Sequence, residues 1–156
     1  MTFRTESRIT IASSVHEAWS YLCDAGRWPE WAPTVLEARI RGGGPVQPGA
    51  RVDQRAKAIL GLSRSRSQQV TAVEEPSSVA FAGPMGTSAA RWGMEFGLTD
   101  DGQTGAMMWV EVDLAGLMRA IPGRLLQRRV QRVSDIEMAA IKAAVESGTR
   151  AARSAS

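Results

Sequence analysis

Residues 9–33 begin Ile9-Thr-Ile-Ala-Ser-Ser-Val-His-Glu-Ala-Trp19 and, past Cys23, continue Asp24-Ala-Gly-Arg-Trp28-Pro-Glu-Trp31-Ala-Pro33. The first residues complete a polar–apolar alternation over 6–12, the period of a half-buried strand. Ser14, followed three residues later by Glu17, is a capping-box pattern and predicts a helix starting there. Val15, Trp19 and Leu22 recur at spacings of four and three, so this short helix buries one face. Gly26 and Pro29 then break the chain into a second helical turn carrying Trp28 and Trp31.

Downstream, the punctuation changes. Turn clusters stand at Gly42-Gly43-Gly44-Pro45, Gly61, Glu75-Pro76-Ser77-Ser78, Gly83-Pro84 and Thr99-Asp100-Asp101-Gly102. Between them lie β-compatible runs at 35–41, 50–59, 65–73, 79–82, 89–98 and 106–114, which predict an antiparallel meander. The clearest alternation places Ala90, Trp92, Met94, Phe96 and Leu98 on one face. From Pro122 to Ser147 there is no Gly or Pro after Gly123, and Ala, Arg, Glu, Leu and Met dominate; this predicts a helix of about six to seven turns. Leu126, Val130, Val133, Ile136, Ala140 and Ala144 supply its apolar stripe. Gly148 is read as the stop signal, and 148–156 as a flexible tail after a single domain spanning 1–147. A one-sided antiparallel sheet needs a cover, and the terminal helix is the only element large enough.

Composition narrows the chemistry. The chain has 156 residues, 44% hydrophobic and 22% charged, with five Trp, which suits one globular domain and excludes disorder throughout. Its single Cys, Cys23, allows no internal disulfide, and a reducing cytoplasm is the expected location. One His and one Cys exclude the common zinc ligand sets, and a nucleophilic triad would have to use His16. No run approaches the roughly 20 apolar residues of a membrane span, and 1–6 lack the apolar core of a signal peptide. A net charge of +3 is mild, and much of the excess lies between Arg119 and Arg132.

The motifs in 9–33 resemble the opening of the START/Bet v 1-like superfamily, and in particular its bacterial polyketide cyclase/dehydrase-like (SRPBCC) branch. Val70-Thr-Ala-Val-Glu-Glu-Pro76, the run from Trp92 to Leu98 followed by Thr-Asp-Asp-Gly, and Ile141-Lys-Ala-Ala-Val-Glu146 agree, so the resemblance covers 6–147. It implies an α+β helix-grip fold: a seven-stranded antiparallel sheet wrapped around a long C-terminal helix, with two short helices after the first strand. It also implies a cavity between sheet and helix that holds lipids, hormones or polyketides.

Individual residues follow from this frame. Trp92, Met94, Phe96, Leu98 and Met108 either line the cavity or fill a core, and Leu126, Val130 and Val133 face it from the helix. Trp28 and Trp31 lie where the resemblance places the cavity rim; the alternative is that one of the two simply anchors its helix. In the strand 65–73, the family places an aromatic two residues before the position matched by Val70; here Gln68 stands instead. If Val70 points inward, period two brings Gln68 and Arg66 with it, and Gln54 is expected inward beside them. Buried polar groups need partners, which makes these three candidate ligand anchors, and some cyclases of the family hold polyketide oxygens with an inward Arg. Arg64 and Arg66 among serines also fit a solvated face. His16 reads as an exposed residue of the first helical turn, and Asp24 and Glu30 either act as acid or base at the rim or carry charge for solubility.

The expected function is binding of an apolar or polyketide-like small molecule, with cyclisation or dehydration promoted by shape and polar anchors, without metal or organic cofactor. The alternative is a non-enzymatic carrier or regulatory binder of hydrophobic ligands. Arg119, Arg124, Arg128, Arg129 and Arg132 make either a solvated helix face or a contact with an anionic membrane surface. No nucleic-acid partner is expected, for want of interleaved aromatics. Monomer and homodimer both fit.

Overall fold

Alternation and capping signals become elements in the computed structural model, which describes residues 1–57 and 59–155. The strand β1 (Thr2–Ile11) leads into α1 (Val15–Cys23), whose capping box is formed in full by Ser14 and Glu17. A turn of 3-10 helix and the short α2 (Trp28–Trp31) follow. Six strands complete the sheet: β2 (Val35–Ile40), β3 (Arg51–Lys57), β4 (Ser63–Glu74), β5 (Ser78–Met85), β6 (Ser88–Leu98) and β7 (Thr104–Asp113). The last element is α3 (Gly123–Ser154). All seven strands pair antiparallel in the order β1-β7-β6-β5-β4-β3-β2, the helix-grip arrangement. Register shifts at Val35/Glu37 and Val70/Ala72 are the kind that raise local twist and curl a sheet around a helix.

Several expectations need correction. Gly83-Pro84 does not turn the chain but lies within β5. The ladder to β4 ends at Gln69↔Ala82, so Pro84 owes no N–H on that side. The reversal falls instead at Gly86, whose φ is +63°. The strand expected over 50–59 ends at Lys57, and Ile59–Gly61 form a short turn; Ala58 lies outside the described residues. The terminal helix does not stop at Gly148 but continues to Ser154. Thr149 is buried there and its hydroxyl donates to Glu17 Oε2 at 2.6 Å, tying this last part of α3 to α1. The apolar stripe on α3 is also rotated. Ser134, Met138, Ile141, Val145 and Thr149 are buried, whereas Ile136 is 51% exposed.

As an edge strand, β1 would offer unpaired carbonyls to any passing chain. Here α3 caps them: Gln127 Nε2 donates to Arg4 O, Gln131 Nε2 to Glu6 O and Lys142 Nζ to Thr10 O, at 3.3, 2.9 and 2.7 Å. The helix is thereby fastened along one side of the sheet. Two apolar clusters fill the space beneath it. The larger joins α1, α2 and the sheet to Met138, Ile141 and Val145, and the smaller gathers Val112, Leu114 and Leu126. Among the described residues, no helix is long and apolar enough to cross a membrane.

Candidate functional site

Between the two clusters lies a cavity of about 450 Å³, walled by the sheet on one side and α3 on the other. Trp28, Trp31 and Met108 reach it from the larger cluster, and Leu126, Val110 and Met118 from around the smaller. Its solvent side is marked by lining residues that are themselves exposed: Pro84, Ile121, Arg129 and Val133. The mouth therefore opens between the first turns of α3, the 118–121 segment and the end of β5.

One wall is aromatic. Trp92 lines it, backed by Phe81, its direct partner across β5 and β6, and the two rings stack at 4.3 Å and 15°. Trp28 meets both edge-on at 5.3 and 5.5 Å, and Trp31 meets Trp92 at 6.3 Å. Trp28 is fixed by donating its indole N–H to Leu22 O at 2.8 Å. With Pro at the second helical position, α2 holds the two tryptophans in one four-residue turn.

The polar end of the cavity adjoins this wall. Gln54 and Arg66 stand directly opposite one another on β3 and β4, and Arg66 Nε donates to Gln54 Oε1 at 2.7 Å. Gln68, two residues on, reaches across β5 to accept the Trp92 indole N–H at 2.6 Å. It passes over Gly83, where a Cβ would come within 2.9 Å of Gln68 Cγ, so the missing side chain makes room for this bond. Desolvation, helped by neighbouring Arg64, holds the Arg66 pKa below its usual value. Facing it from α3 is Glu137, whose carboxyl is pushed up to about 7 by burial, an effect that the nearby Arg66 charge opposes. Among the described residues, the two make no direct ion pair.

Trp28, Trp31, Gln54, Arg66, Gln68 and Trp92 all line the cavity, as do Met108, Leu126, Val130 and Val133. Arg66 and Gln68 share the inward face of Val70, while Arg64 is exposed. Met94 and Phe96 lie elsewhere. They continue the inward face of β6, but α1 packs over that half of the strand, and Phe96 meets Trp19 edge-on at 6.4 Å within the core. Leu98, expected on the same buried face, is 74% exposed beyond the cover. His16, Asp24 and Glu30 are at the surface. Of the five arginines expected on the outer face, Arg129 lines the cavity mouth. Sequence reasoning missed Glu137 and Ser134; a step of four from Val130 reaches Ser134, but neither residue is apolar.

A sequence profile described as "Polyketide cyclase / dehydrase and lipid transport" matches residues 2–146. No match to this sequence is found among curated proteins. Solved structures share the fold at low identity. A START superfamily protein from Mycobacterium smegmatis is 15% identical with a TM-score of 0.73, over 92% of this chain and 97% of the other. Ara h 8.0201 is 16% identical with a TM-score of 0.72, over 94% and 99%. The di-domain ARO/CYC StfQ from the steffimycin biosynthetic pathway is 18% identical with a TM-score of 0.72; the match takes 95% of this chain and 52% of StfQ.

Proposed function

The chain belongs to the polyketide cyclase/dehydrase and lipid-transport family, and on that premise we propose that its cavity binds a polyketide-like small molecule whose oxygens are held by Arg66, Gln54 and Gln68. The observation that carries this reading is that an aromatic wall and a polar end meet in one cavity. Its volume lies in the range of about 300–1,000 Å³ typical of small-molecule sites. Arg66 spends only Nε on Gln54, which leaves its terminal nitrogens for a ligand carbonyl. Gln54 and Gln68 each use the side-chain oxygen and keep the amide N–H groups for the same purpose.

Such a site favours cyclisation or dehydration of a flexible chain by two effects. The rings fold the chain so that reacting carbons meet, and the guanidinium stabilises negative charge developing on a carbonyl oxygen as an enolate forms. Mass spectrometry of small molecules released on denaturing the purified protein, beside a control protein from the same host, should find a near-stoichiometric apolar compound. Arg66→Ala should keep the fold by circular dichroism and weaken binding of that compound by about tenfold or more, the worth of one charged hydrogen bond. Unchanged affinity would remove Arg66 from the site.

A second reading, a carrier that loads at a bilayer, is favoured by the surface beside the mouth. Leu117 is 85% exposed, Leu125 57% and Ile121 40%, interspersed with Arg119, Arg124 and Arg128. Apolar side chains set among cations suit an anionic lipid surface.

A further inference from the structure

We infer that the polar end of the cavity takes an apolar ligand ending in a carboxylate, and that this anion binds with Glu137 protonated, so that above neutral pH its binding draws a proton from solvent onto the site. This rests on the cavity being a ligand site, and it specifies the chemical class of that ligand.

Arg66 is a half-buried cation whose hydrogen-bond partner, Gln54, is neutral. A cation withdrawn from water without a counter-charge is costly, and an anion placed beside it recovers much of that cost. The candidate counter-charge within the protein is Glu137, on the facing helix, yet the two form no ion pair and nothing donates a hydrogen bond to the Glu137 carboxyl among the described residues. The other groups that line the cavity or stand near it do not alter the balance. Gln54 on β3, Trp28 and Trp31 on α2, and Met108 on β7 carry no charge. Glu30 of α2 is exposed, Arg64 lies beyond Arg66 on β4, and Arg129 is at the mouth two turns along α3.

Two charge states follow. With Glu137 neutral, the polar end carries the uncompensated Arg66 charge and attracts an acid, to which the Glu137 O–H can also donate. With Glu137 ionised, the end is neutral overall and a second carboxylate is repelled. Burial pushes this carboxyl up to about 7, which places the exchange near neutral pH.

The test uses N-phenyl-1-naphthylamine, a neutral fluorophore, displaced from the full chain by 2-naphthoate or by its uncharged isostere 2-naphthamide. Naphthoate is ionised throughout, so its own titration does not intrude. Between about pH 6 and about pH 8 its affinity should fall by about tenfold, while naphthamide stays level. Glu137→Gln should abolish the fall and leave naphthoate near its acidic-pH affinity at both ends. A measurement that needs no variant is calorimetry at about pH 7.5 in two buffers of different ionisation heat. It should show uptake of most of one proton per naphthoate and none per naphthamide. Level naphthoate binding in the wild type, or a fall that persists in Glu137→Gln, would overturn the inference while the cavity reading stands. Failure of the fluorophore itself to bind would overturn both.

Discussion

Glu137 is held in the native chain at a cost that depends on pH, and the sign can be worked out. Its carboxyl takes up a proton near pH 7 in the fold and near 4.5 when unfolded. Between those values the native state binds more protons, so stability rises as pH falls from about 7 towards about 4.5 and is reduced above 7. Glu137→Gln removes that penalty. It should raise the melting temperature at about pH 8, with the gain shrinking towards pH 5; a lower melting temperature at pH 8 would mean that attraction to Arg66 outweighs burial. The residues across the cavity were legible in the sequence for a simple reason. One buried Val70 fixes the parity of its strand, and period two then turns Gln68 and Arg66 inward. No such rule marks an inward Glu on a helix rich in charge. The apolar residues there even mislead, since Ile136 points to solvent while Ser134 is buried.

At the scale of the element, β6 is built around a bare backbone at Gly93. The Trp109 side chain from its β7 partner lies over it, and a Cβ would sit 2.6 Å from Val79 O and 2.7 Å from Trp109 Cζ2. Because the nearer atom is backbone, it has little room to yield. Gly93→Ala should cost about 1–3 kcal/mol in urea unfolding, in line with overpacking. Gly97→Ala on the same strand, where a Cβ would meet nothing within 4 Å, serves as the control. A cost at Gly97 equal to that at Gly93 would point to glycine flexibility instead of contact. Elements with local signals were legible: the Ser14 capping box starts α1 as its spacing says. Boundaries set by distant partners were not. Gly148 looks like a stop because its reason for continuing, the bond from Thr149 to Glu17, joins residues 132 apart in sequence.

For the whole molecule, the fastening of α3 along β1 leaves the cavity mouth on the other side, beside exposed leucines and arginines. Vesicles containing about a third anionic lipid should therefore co-sediment with the protein at low salt and release it near 1 M, where the Debye length is about 3 Å. Equal binding to neutral vesicles would assign the contact to the leucines alone, and no binding to either would end the carrier reading. The architecture was legible because sheet, cover and turns each leave a periodic trace. The void was not, since the residues that wall a space and those that fill one have the same composition. The stacked and edge-on indoles give that void an optical consequence. Trp28, Trp31 and Trp92 border it, while Trp19 is packed in the core and Trp109 lies under Arg4 on the outer face. Three of the protein's five tryptophans thus stand at the cavity wall, and an aromatic guest absorbing in their emission band would dim them by energy transfer, so the protein carries its own occupancy gauge without a label.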